Sequence, residues 1–175
     1  METIKESAGP FLALVVEGNT ERPDRRTQNM GLRIVGATAS DMTEVFFLVA
    51  LDGFARPTLC SIMTGYGPTA TFEPDQIRRP MTLDIPEPEN FAALMAIIKN
   101  DRRRGTESVD GKPDLRKPRK AIIVITSAAF IKPFLHFYFT TEAERPETPN
   151  LDEFIAFGTS VVIDMATHEV KLLQT

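Results

Sequence analysis

Short apolar runs, broken repeatedly by proline and glycine, alternate with polar stretches along this chain. FLALVVE, 11–17, is apolar almost throughout and stops at Gly18, which predicts a buried strand. MGLRIVGATA, 30–39, alternates loosely and predicts a second strand. In EVFFLVALDG, 44–53, Val45, Phe47, Val49 and Leu51 fall on one face and Phe46, Leu48 and Ala50 on the other. Apolar on both sides, it predicts a central strand covered by other layers and ended by the turn dipeptide Asp52-Gly53. RPTLCSIMTG, 56–65, then predicts the antiparallel return.

The clearest periodicity is helical. Phe91, Leu94, Met95 and Ile98 recur at i, i+3, i+4 and i+7, predicting a helix over 88–104. Pro88 suits its first turn, Arg102, Arg103 and Arg104 complement its electronegative end, and Gly105 supplies the stop. AIIVITSAAF, 121–130, and KPFLHFYFTT, 132–141, predict two further strands, with Pro133 at the start or edge of the second. LDEFIAF predicts a short helix capped by Asn150, and TSVVIDMATHEVKLLQ a C-terminal hairpin with His168 as a turn residue. Strands that follow strands without helical crossovers predict an α+β domain. Its sheet is expected to be mostly antiparallel, curled or barrel-like, with one main helix at about 88–104. In order alone, β-β-β-α-β-β echoes an OB-type barrel.

With 175 residues, one domain over 1–175 is expected. The 42% hydrophobic content excludes disorder as the default state. The start lacks the basic, then long apolar, pattern of a secretory signal, and no run approaches the ~20 apolar residues of a bilayer span. A soluble cytoplasmic protein without a membrane partner is expected. The single cysteine, Cys60, excludes an internal disulfide, and its place in TLCSIM predicts a small buried hydrophobe.

Recognisable chemistry is scarce. The chain has two histidines, His136 and His168, and no GxSxG, HExxH or GxxxxGK[ST] pattern. Gly65-Tyr66-Gly67 lacks the third glycine of a dinucleotide loop. Asp41, Asp52, Asp84 and Asp164 sit where aspartate caps helices or closes turns. The expectation is therefore a non-enzymatic protein with no cofactor and no metal.

Charge supplies the one strong asymmetry. Between Lys99 and Lys120 nine basic residues stand against four acidic ones, a net +5, which leaves −9 for the rest of a chain whose net charge is −4. One account is purely structural: a helix end with basic residues, then a solvated loop. The sharper expectation is a polyanion-binding loop, 99–120, clamping single-stranded nucleic acid through Arg102, Arg103, Arg104, Arg116, Lys117, Arg119 and Lys120. Arg22, Arg25 and Arg26 form a second basic group in the loop after the first strand. On the strand 132–141, Phe134, His136 and Tyr138 share one face and form a candidate stacking platform. The alternative is a structural or assembly subunit whose basic loop meets an acidic partner or the patch around Glu142, Glu144, Glu147, Asp152 and Glu153 on another copy.

Overall fold

A computed structural model describes residues 9–18, 25–51, 53–67, 69–105, 108–109, 112–113, 115–144, 155–156 and 159–174. At its centre, three apolar strands lie parallel: β1 (Phe11–Val16), β2 (Val45–Val49) and β6 (Ala121–Thr126). β6 lies between the other two, with Val124 opposite Leu14 on one side and Leu48 on the other. A short parallel strand, β3 (Ile77–Arg78), extends the sheet beyond β2. On the far side β7 (Ser160–Asp164) runs antiparallel to β1 and is joined by a hairpin to β8 (Val170–Leu173). The sheet order is β3-β2-β6-β1-β7-β8; a separate two-residue ladder pairs β4 (Ser108–Val109) with β5 (Lys112–Pro113).

The segments joining the parallel strands are helices: α1 (Arg25–Thr38), α2 (Ala55–Thr64) and α3 (Pro88–Arg102). A fourth, α4 (Ala128–Thr141), leads from β6 to β7. Helices cover both faces. Phe47 meets Tyr66, just beyond α2, whereas its neighbour Phe46 points the other way, towards Ile97 of α3. That double cover is why β1, β2 and β6 are apolar at nearly every position.

This architecture corrects the expected antiparallel, curled or barrel-like sheet with one main helix. Among the described residues it is an open mixed sheet with four α-helices, and three segments read as strands are helices. In 30–39 the buried side chains are Met30, Ile34 and Thr38, a four-residue spacing that follows a helical stripe. In 56–65, Leu59 and Ile62 lie inward with Thr58. In 132–141, Phe134, Leu135, Tyr138 and Phe139 are buried, and Ser127 caps the helix by accepting a hydrogen bond from the Phe130 amide at 3.3 Å. Pro133 lies inside this helix. The missing crossovers were thus the misread strands.

α1 and α2 approach closely because two glycines face each other. A Cβ on Gly31 would come within 2.5 Å of the Ile62 carbonyl, and one on Gly65 within 2.3 Å of the Gly31 backbone. Cys60 is exposed on α2, against expectation. His168 occupies the β7–β8 turn at φ +62°, and its Nδ1 hydrogen-bonds the Tyr138 hydroxyl at 2.8 Å. Asn150 and most of 151–157 lie outside the described residues. Among the described residues, no helix is long and apolar enough to cross a membrane.

Candidate functional site

In open α/β sheets, ligands bind beyond the carboxyl ends of the parallel strands, where loops diverge to opposite faces. Here that edge is built by Glu17 and Gly18 after β1, Ala50, Leu51 and Gly53 after β2, and Thr126 and Ser127 at the end of β6. The segment following β3 closes over it. Thr126 donates its hydroxyl hydrogen to the Leu83 carbonyl at 2.7 Å. Asp84 accepts from the Leu51 amide at 3.3 Å, and Arg79 donates to the Leu51 carbonyl at 3.3 Å.

Glu17 is the most pointed feature of this edge. Its two carboxylate oxygens lie 2.6 and 2.7 Å from the position a Cβ on Gly53 would take. A Cβ there would displace the carboxylate, and Gly53 also holds φ +70°, a conformation that suits glycine. Phe54 follows as the N-cap of α2 and offers no side-chain cap. The carboxylate therefore sits at the positive end of a helix, where an anion is stabilised. The next residue is held as well: the Gly18 amide donates to Thr58 Oγ1 at 2.8 Å. The start of α4, capped by Ser127, reaches the same edge.

Two hydroxyls here are buried without a hydrogen-bond partner, Ser160 Oγ and Thr82 Oγ1. Ser160 opens β7 opposite Val15, and Thr82 lies in the turn whose Leu83 carbonyl receives Thr126. Buried polar groups are nearly always satisfied, so such exceptions call for an explanation, and a bound polar group supplies one.

Neither histidine stands at this edge. His168 occupies the turn beyond Asp164, which pairs with the first residue of β1, so it lies at the amino end of the sheet. His136 is exposed in the middle of α4. Among the described residues, no group of histidine, cysteine and carboxylate side chains could hold a metal ion.

Of the residues singled out from sequence, Arg104, Arg116 and Arg119 line one cavity, and the other described ones do not line it. On helix α4, Phe134 and Tyr138 point into the core while His136 faces water, so no stacking platform exists. Arg102 and Arg103 are exposed at the end of α3, and Lys120 is half-buried beside β6. Lys117 donates to Thr43 Oγ1 at 2.8 Å. It adds to the Thr43 hydroxyl, the main cause, in holding the Asp41 carboxyl below its usual range. Arg119 is buried against Asp101 at 3.3 Å and Asp75 at 3.5 Å, its guanidinium 4.5 Å from the Phe46 ring centroid. Arg22 lies outside the described residues, and Arg25 and Arg26 open α1 with side chains outside the described part. Of the acidic patch, Glu142 pairs within the chain with Lys99 at 2.9 Å, and Glu147, Asp152 and Glu153 lie outside the described residues. Glu17 was missed because it closes an apolar run and matches no motif.

No protein-family model and no curated protein matches the sequence. Among solved structures, the chain is similar to an Agrobacterium tumefaciens protein assigned as phosphohistidine phosphatase SixA. The TM-score is 0.56 at 9% identity, covering 94% of this chain and 98% of that one. A Plasmodium falciparum phosphoglycerate mutase gives 0.48 at 15% identity, covering 94% and 89%. A Nakamurella multipartitia protein assigned as SixA gives 0.46 at 13% identity, covering 93% and 92%. The first of these likenesses shows that the chain shares the α/β fold of that protein. It overturns the reading of the chain as a non-enzymatic nucleic-acid-binding or assembly module, which already lacks its aromatic platform: the fold is shared with a protein that is itself assigned as an enzyme.

Proposed function

We propose that this chain is a phosphohydrolase, acting on phosphate esters or phosphoramidates, whose reaction centre is the carboxyl edge of β1, β2 and β6. The observation that carries the proposal is the Glu17 carboxylate set against Gly53 at the start of α2. The likeness to a protein assigned as a phosphohistidine phosphatase supports the substrate class. Phosphoryl transfer is catalysed mainly by positioning and by stabilising charge on the transferring group, and helix N-termini are suited to that task. The starts of α2 and α4 offer it here, with Ser127, Ser160 and Thr82 as hydroxyl donors. Glu17 acts as general base, taking a proton from the attacking water as its oxygen bonds to phosphorus and the P–O or P–N bond to the leaving group breaks, the leaving group departing as an anion or taking up a proton from solvent. Imidazole has no part, because neither histidine lies at this edge.

The test is release of inorganic phosphate from p-nitrophenyl phosphate and from phosphohistidine. The native chain should turn over at least one of them. Glu17→Gln should lower kcat by about a hundredfold or more, as expected for loss of a general base. Absence of turnover by the native chain, or an unchanged rate in Glu17→Gln, would overturn the proposal.

A further inference from the structure

At the opposite, amino end of β6 the two halves of the basic stretch come together. Gly105, at φ +74°, lets the chain turn beneath Arg116 and Pro118, where a Cβ would lie 2.7 Å from the Arg116 carbonyl. Arg104 Nε donates to the Lys117 carbonyl at 3.4 Å. The closure brings Arg104, Arg116 and Arg119 to one cavity of about 200 Å³, and Arg78, from β3, completes its wall. Phe46 and Ile97 give it an apolar floor, and Asn100 adds an amide.

Four arginines line this cavity against two aspartates, Asp75 and Asp101, an excess of two positive charges. The electronegative end of α3 offsets only about half a charge. Arg119 is already committed, to both aspartates, to the Asp75 carbonyl at 3.3 Å and to the Phe46 ring. It fixes the floor. Arg78, Arg104 and Arg116 also line the cavity, and the planar fork of an arginine matches the geometry of a phosphoryl group. At about 200 Å³ the space is below the ~300–1,000 Å³ of pockets for drug-sized ligands. It suits a phosphoryl group with a few carbons attached, and it is too small to track a polynucleotide.

We infer that this arginine pocket is a second ligand site, taking a small phosphoryl-bearing molecule through Arg78, Arg104 and Arg116. It lies about 20 Å from the proposed reaction centre, the length of the six-residue strands between them. It stands whether or not that centre hydrolyses esters.

The experiment is an amide NMR titration of the full chain with sodium phosphate, at ionic strength held constant with sodium chloride. Saturable shifts are expected at Asp101, Arg104 and Lys117. The double variant Arg78→Gln/Arg116→Gln should weaken that response by about tenfold or more, as loss of charge-assisted hydrogen bonds implies. Shifts at Gly18 and Ser127, which report the other site, should be retained. If the double variant loses its dispersed spectrum, Arg104→Lys keeps the charge, breaks the fork and should still weaken binding several-fold. Shifts that rise linearly without saturating, shifts confined to Gly18 and Ser127, or equal affinity in well-folded variants would overturn the inference.

Discussion

Arg119 and Asp101 face each other across 3.3 Å with both side chains almost wholly out of water. Burial raises the Asp101 pKa despite the opposing pull of Arg119 beside it, so the folded chain holds that proton more tightly than the unfolded one. The stability this contributes is fully present below the unfolded value of about 3.8 and is lost as pH rises through the folded pKa. Asp101→Asn leaves Arg119 short of its buried partner. Asp75, the other carboxylate, is largely exposed and compensates in part. The loss at neutral pH, read in urea unfolding, should fall below the roughly 3 kcal/mol of a broken buried pair, because burial already disfavours the carboxylate. Because only the native chain gains from protonation, the gap to Asp101→Asn should widen as pH falls from about 7 towards 4. A gap that narrows would show that Arg119 dominates.

The contact between α1 and α2 predicts opposite signs for two glycine substitutions in one helix. Gly31→Ala forces a methyl group to within 2.5 Å of the Ile62 backbone, which neither helix can relieve without moving. It should cost about 1–3 kcal/mol or more by overpacking. Gly36, five residues further along the same helix, has nothing within 4 Å of its added Cβ. Gly36→Ala should stabilise by about 0.5–1 kcal/mol, by restricting the unfolded chain. Chemical denaturation of the two variants beside the native chain decides it.

Tyr66 offers a spectroscopic check of the packing beneath α2. Its hydroxyl hydrogen-bonds Ser40 at 3.0 Å, and burial pushes its pKa up to about 12. The chain has two tyrosines and no tryptophan. In Tyr138→Phe the remaining phenol is Tyr66, and its ultraviolet titration should have a midpoint near 12, not near the ordinary value of 10. A raised phenol pKa means that stability is lost as pH rises through it, so unfolding should accompany the titration. A reversible midpoint near 10 in the folded chain would place Tyr66 in water.

The strands at the centre of the sheet and the helix α3 were legible in the sequence for separate reasons. FLALVV, VFFLV and AIIVIT are apolar on both faces, as doubly covered strands must be, and α3 pairs a clean periodicity with Pro88 and Gly105. α4 was not legible, because AAFIKPFLHFYF is rich in aromatic residues that favour strands and carries an internal proline. Its four-residue spacing of Phe130, Phe134 and Tyr138 was present, but tertiary packing against Phe91 makes it decisive. The carboxyl edge depends on that assignment. Until α1, α2 and α4 are helices, β1, β2 and β6 are not parallel, and Glu17, Ser127 and the region after β3 have no common end to share. The arginine pocket was half visible: the charge run was plain, whereas Arg78 comes from a strand two residues long that no pattern announces.

Ser160 links stability to the proposed reaction. It is wholly buried, and its hydroxyl has no hydrogen-bond partner, a condition that costs about 1–3 kcal/mol. Removing the hydroxyl removes the unmet group and leaves only a small void, so Ser160→Ala should unfold at the same or a higher urea midpoint than the native chain. If the hydroxyl is kept to donate to a phosphoryl oxygen, the same substitution should lower kcat/KM for phosphate-ester hydrolysis by about tenfold, the worth of one hydrogen bond to a charged group. A fold that gains stability while losing turnover is the pattern expected of a group retained for function. A Ser160→Ala chain that is clearly less stable would show instead that the hydroxyl is satisfied in solution. One that is more stable and equally active would remove Ser160 from the site.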